Sequence, residues 1–161
     1  LPPLMFTPAE AQALVAAVRM AQPRMDAAMA AQAEAAMGKI LSVLPADARA
    51  AAESLALFAP DAGLAEPVRA VLEAARTAVV QRRKLSLRYA DEQGRESRRT
   101  VRPLGTFFWG AVWTLAAWCE LREDFRSFRL DRVRDLQPLE AGFRDEPGRT
   151  LADLLRAVAA P

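Results

Sequence analysis

The amino-acid sequence predicts an α+β chain: a helical first part, a small five-stranded antiparallel barrel, and a C-terminal helix. Three observations carry this. Apolar residues recur at helical spacing up to about residue 83 and at every second position after it. Turn-forming residues punctuate the second stretch at short intervals. Charge is segregated along the same division. Residues 1–75 carry 5 basic against 8 acidic side chains, residues 76–134 carry 14 against 7, and residues 135–161 carry 3 against 5. The middle segment is therefore where an anionic partner would be received.

The helical part begins at Thr7-Pro8-Ala9-Glu10, a capping box with proline at the first helical position, where its missing N–H costs nothing. Leu14, Val15 and Val18 follow at helical spacing, and Pro23 ends the run. A second helix, about Met25 to Leu44, sets Met25, Met29, Ala33, Ala36, Met37, Ile40, Leu41 and Leu44 along one face, which suits a thin helix–helix seam. Pro45 opens a short Ala-rich helix, and residues 55–65 read as either strand or loop. A third long helix runs from about Glu66 to Arg83, with Val68, Val71, Leu72, Ala75 and Val79 on its apolar side. Arg82, Arg83 and Lys84 are expected to close it, where cations suit the helix dipole.

After Lys84 the period becomes two. "LSLRY" is the first strand, "DEQGR" a hairpin turn around Gly94, and a second strand covers about Glu96 to Phe107. Pro103 and Gly105 predict an edge, bend or bulge within it. A turn near Trp109-Gly110 leads to "AVWTLAAWC", then "ELRED" to "FRSFRL", and a short fifth strand "VRDLQPL" follows. Short strands joined by short turns suggest a small barrel. A last helix is expected over about Leu151 to Ala159.

A hydrophobic share of 52% with 26% charged residues is the composition of a folded chain rather than a disordered one. No apolar run reaches the roughly 20 residues a membrane helix needs, so a soluble protein with no membrane partner is expected. Cys119 is the only cysteine and there is no histidine, which fits a reducing cytoplasm and leaves little to bind a metal. No cofactor motif is present: there is no Gly-rich phosphate loop, HExxH or CxxC. Cys119 has no histidine partner, and Asp91-Glu92 and Glu123-Asp124 fall in turns, so an enzyme is not expected. The opening "LPPLMFTPAE" lacks an initiator methionine and reads as part of a longer chain.

The stretch "RRTVRPLGTFFWGAVWTLAAWCELREDFRSFRLDRV" resembles the WYL domain, whose Trp-Tyr-Leu triplet falls here at Trp113-Thr114-Leu115. The wider pattern includes Tyr89, Arg99-x-Val101-x-Pro103 and Arg126-x-Phe128-x-x-Asp131-Arg132, while "LPPLMFTPAEAQAL" and "KILSVLP" resemble the helical connector of YafY-type WYL transcriptional regulators. The resemblance implies an Sm-like or SH3-like barrel that senses a nucleic acid or nucleotide, single-stranded DNA among the candidates. It also implies a bacterial regulator that reads operator DNA through an N-terminal helix-turn-helix domain absent from these residues. Thr114 departs from the triplet's tyrosine and removes a stacking ring. The divisions drawn are a helical connector and dimerisation region over 1–75, the barrel over 76–140, and a C-terminal loop and helix over 141–161.

Parity refines the binding face. On "RSFRL", Arg126, Phe128 and Leu130 share one side, which Arg132 would join if the strand continued, while Ser127 and Arg129 point away. Arg99 shares parity with Val101, and Arg98 and Arg102 lie opposite. Guanidinium groups beside apolar surface suit phosphate, being planar forks of donors. Tyr89 and Trp113 could offer surface to bases. The ligand-binding set expected is thus Tyr89, Arg99, Trp113, Arg126 and Arg132, with Arg102 and Arg129 as weaker candidates. Each has a competing structural role. Trp113 alternates with Leu115 as a core residue would, Arg132 adjoins Asp131 as an ion pair would, and Arg95, Arg98 and Arg122 read as solvated turn or edge charges.

Three functions compete at this stage. The first is an effector-sensing domain of a homodimeric regulator with an anionic nucleic-acid-type ligand. The second is a dimerisation module with no ligand of its own. The third, a constitutive RNA-binding Sm-like barrel, does not account for the helical connector.

Overall fold

The structure is a computed structural model that describes residues 5–53 and 63–160. Most of the stretch 55–65, read as strand or loop, lies outside the described residues. The chain divides into two compact units, Leu1–Ala65 and Glu66–Pro161.

The first unit is helical: α1 (Pro8–Ala21), α2 (Ala27–Ser42) and α3 (Ala46–Glu53). The capping box at Thr7 forms as expected, with Glu10 returning to the Thr7 N–H. Asp26, fully buried, caps α2 by accepting from the Met29 N–H at 2.8 Å. Arg49 donates to the carbonyls of Leu41, Ser42 and Leu44 and so satisfies the C-terminal end of α2. Among the described residues, the unit's core includes two small clusters: Ala11, Leu44 and Ala48, and Val15, Met37 and Ala52. The methionine and alanine seam is thus used in part. Met37 is buried and Met25 and Met29 are half-buried, whereas Ala36 faces solvent.

The second unit begins with α4 (Glu66–Gln81), which buries Leu72, Ala75 and Ala78. The helix stops before the cations expected to close it. Arg82 takes φ 50° and reverses the chain, and Arg83 and Lys84 are already the first strand. Because α4 packs on the sheet, the unit boundary precedes it, whereas the charge pattern sets the division at residue 75.

Five strands follow: β1 (Arg83–Ala90), β2 (Glu96–Phe108), β3 (Trp113–Cys119), β4 (Asp124–Arg129) and β5 (Val133–Gly142). They form one antiparallel sheet in the order β4-β3-β2-β1-β5. In a flat sheet the two outer strands, four spacings apart, would stand about 19 Å from each other. Only a 3₁₀ turn over Leu130–Arg132 joins them, and such a link reaches about 14 Å at most. The sheet therefore curls into a partly open barrel. The contact between Tyr89 of β1 and Phe128 of β4, ring centroids 5.2 Å apart, has the same cause.

The bulge expected near Pro103 is real: pairing with β3 shifts register between Pro103 and Gly105. Gly94 takes φ 78° in the β1–β2 turn, the conformation for which glycine is suited. Leu85, Leu87, Val101, Leu115 and Leu130 are fully or almost fully buried and fill the inner face. The chain ends in α5 (Leu151–Ala159), capped by Thr150 and Asp153. Among the described residues, no helix is long and apolar enough to cross a membrane.

Candidate functional site

Antiparallel register decides which side chains share the barrel's inner face. Tyr89 stands opposite Ser97, and Leu87 opposite Arg99, between β1 and β2. Ala117 stands opposite Arg126, and Leu115 opposite Phe128, between β3 and β4. Curling the sheet brings these two pairs of strands toward each other at one mouth of the barrel. A cavity of about 470 Å³ opens there, and Tyr89, Ser97, Arg99, Arg122, Arg126 and Phe128 lie on its wall.

The floor of the cavity is packed and aromatic. Phe128 is buried and meets the Tyr89 ring edge-on, and the Tyr89 hydroxyl accepts the Arg129 N–H at 3.3 Å. The rim is cationic. Arg99, Arg122 and Arg126 make no ion pair or hydrogen bond among the described residues. Arg95 also reaches the cavity but is paired with Asp91 at 2.8 Å. Hydrogen bonds from the Arg95 N–H and guanidinium hold the Asp91 carboxyl below its ordinary range. Three guanidinium groups without an anion, beside an aromatic floor, form a site that can accept phosphate or carboxylate oxygens in bidentate fashion.

The structure thus brings together three residues of the expected set, Tyr89, Arg99 and Arg126, and separates the other four. Arg132 does not extend the strand face. The backbone leaves extended geometry at Leu130, and Arg132 turns to Glu92 at 3.6 Å. The anticipated partner, Asp131, is instead taken by Arg129 through two hydrogen bonds of 3.1 and 2.7 Å. Arg129 holds the Asp131 carboxyl low, and is itself raised by it. Trp113 lies off the cavity, half-buried against Phe108 with ring centroids 5.2 Å apart.

Arg102 lies on the opposite face from Arg99, as parity requires. It bonds Glu120 at 3.2 Å and Glu146 at 3.0 Å, and Glu120 also receives Lys84 at 2.6 Å. Burial disfavours the charge on Arg102, but the bonds to Glu146 and Glu120 outweigh it and raise its pKa. Burial likewise pushes Glu120 up, and Lys84 and Arg102 pull it further down.

Arg122 is the residue that sequence reasoning misses. It does sit in an exposed turn, between β3 and β4, but the curl of the sheet sets that turn over the cavity. No local pattern marks it, since a turn arginine has no period. Among the described residues, no cluster of three acidic or thiol side chains could hold a metal ion.

Comparison with known proteins places the barrel. Residues 70–138 match the WYL domain family, and a WYL domain is present there. Among solved structures, proteasome accessory factor B/C (PafBC) of Arthrobacter aurescens is similar at 24% identity, with a TM-score of 0.47. The likeness covers 89% of this chain and 23% of that one, so the chain spans about a quarter of the length of that protein.

Proposed function

We propose that this WYL-domain chain is the effector-sensing part of a bacterial transcriptional regulator, and that its ligand is an anionic, nucleic-acid-type molecule such as single-stranded DNA. One observation carries the reading: Arg99, Arg122 and Arg126 face one cavity and make no ion pair among the described residues, because the two carboxylates on its wall, Asp91 and Glu96, are paired with Arg95 and Arg88. Uncompensated arginines at a protein surface repel one another, and an arriving phosphate chain relieves that repulsion while releasing its own counterions. The aromatic floor of Tyr89 and Phe128 gives a base or sugar an apolar surface to cover.

The role is regulatory rather than catalytic in this reading. Operator DNA would be bound by a separate helix-turn-helix domain, within a homodimer of the YafY type. The presence of a WYL domain supports the sensing part of this reading.

The test is equilibrium binding of short single-stranded DNA, RNA and cyclic nucleotides to the 161-residue chain at two ionic strengths. Binding should weaken steeply as salt rises, and Arg126→Ala should weaken it at low salt. Affinity equal at both salts, or untouched by Arg126→Ala, would remove the anionic ligand. A stable dimer indifferent to every oligonucleotide would leave the chain as a dimerisation module.

A further inference from the structure

The other face of β3 and β4 carries a second cavity of a different chemistry. It measures about 320 Å³ and lies between that face and α5. Thr114 and Ala116 of β3 form its base, both nearly buried, with Phe125 of β4 beside them. Leu154 and Val158 of α5 form the facing wall. The volume falls within the range of small-molecule sites, and an almost wholly apolar wall with one placed charge is their usual composition.

Two features of this cavity point to a ligand of definite shape and charge. The first is a fixed aromatic plane. Trp109 is exposed at the β2–β3 hairpin, yet its indole N–H donates to the Thr114 hydroxyl at 2.9 Å, and Phe107 stacks on it at 6.2 Å with 27° between planes. An exposed tryptophan held at both its polar and its apolar side offers a preset stacking surface. The second is Arg126. It is the one charged side chain on this wall, it has no anionic partner among the described residues, and it also borders the arginine cavity across the edge strand β4.

We propose that this pocket binds a flat aromatic anion, its ring on the Trp109 side of the pocket and its negative charge on Arg126. A ring system gains apolar burial against Phe125 and α5, and an oxyanion gains a charge-assisted bond at the rim. The same chemistry has two sources, a nucleotide with its base in the pocket or an aromatic carboxylate. Apart from Arg126 and Ser127, the two cavities share no wall residue, so variants at Arg99 and Arg122 test the oligonucleotide site without touching this one.

Calorimetric titration of the chain with 1-naphthoate and with its neutral counterpart 1-naphthalenemethanol tests the assignment. Naphthoate should bind at least several-fold more tightly than the alcohol, and Arg126→Ala should abolish that difference. Thr114→Phe, which projects a ring into the pocket, should weaken both compounds by about tenfold or more. Because Thr114 is nearly buried, Val158→Glu provides a second variant on an exposed position, and it should weaken the anion more than the alcohol. Displacement of naphthoate by adenosine monophosphate assigns the nucleotide source, and no displacement assigns the carboxylate.

Arg99→Ala with Arg122→Ala should weaken an oligonucleotide while leaving naphthoate in place, so the two sites fail independently. Equal affinity for the two naphthalenes, or binding that survives both Thr114→Phe and Val158→Glu, overturns the proposal. So does the absence of binding by either compound. If the chain then sediments as a dimer that Val158→Glu dissociates, a second copy covers this pocket instead.

Discussion

Arg99 and Arg102 lie three positions apart on β2 and illustrate two uses of the same side chain. Arg99 faces the barrel mouth, where Arg122 and Arg126 join it and none of the three makes an ion pair among the described residues. Arg102, on the other face and with only 14% of its side chain exposed, is held between Glu120 and Glu146. Both belong to the segment whose charge balance is 14 basic against 7 acidic residues. An excess of arginine therefore marks a region, and pairing decides which arginines within it remain available to a ligand. The partners of Arg102 come from 18 and 44 residues away, a distance at which no local motif can announce them.

The contrast can be broken most directly by binding. Arg99→Ala combined with Arg126→Ala should lower affinity for a single-stranded oligonucleotide by about 100-fold at moderate salt, and should reduce the slope of log K against log salt by about 1.4. Arg102→Ala should change affinity by less than about twofold, measured by fluorescence anisotropy. An equal loss from Arg102→Ala would erase the distinction between the two faces.

Stability should show the reverse order. Arg102→Ala removes the donor that Glu120 and Glu146 share, leaving them to Lys84 and Arg149, at a cost of about 1–3 kcal/mol in urea denaturation. Arg126→Ala, on an exposed and unpaired side chain, should stay within about 0.5 kcal/mol of the parent. An effect between these two follows from Tyr89→Phe, which keeps the ring against Phe128 and removes only the acceptor for the Arg129 N–H. It should cost about 0.5–1.5 kcal/mol and leave oligonucleotide binding unchanged if the ring alone forms the floor.

Acid separates the faces more gently. Asp131 and Glu120 are both held low, Asp131 by Arg129 and Glu120 by Lys84 and Arg102 against the opposing effect of burial. A carboxyl whose folded pKa lies below its unfolded one contributes stability above the unfolded value and loses it as pH falls through the folded value. Protonation should thus free Arg102 and Arg129, while Arg99, Arg122 and Arg126 have no such partner to lose. The same sign applies at α5. Hydrogen bonds from the Thr150 N–H and hydroxyl, and then Arg156, lower Asp153 from 3.8 to about 2. Circular dichroism should show helix loss between about pH 4 and pH 2 that is absent in Asp153→Asn.

Much of the architecture was legible because it rests on local periods. The Thr7 and Glu10 capping box, the change from helical to alternating spacing near residue 83, the Gly94 turn and the bulge at Pro103 all follow from neighbouring residues. Parity along β2 and β4 likewise separated Arg99 and Arg126 from Arg102 and Arg129. Parity holds only while the strand does: Leu130 begins a 3₁₀ turn, so Arg132 leaves the face that a continued strand would give it.

By itself, then, the sequence determined the elements, the strand faces and the cationic character of the middle segment, since each depends on contacts a few residues apart. Only the tertiary structure decided that the sheet curls, that the Arg122 turn closes over Tyr89 and Phe128, and that distant carboxylates neutralise some arginines and not others. Those outcomes depend on register and curvature summed over five strands, which no single segment encodes.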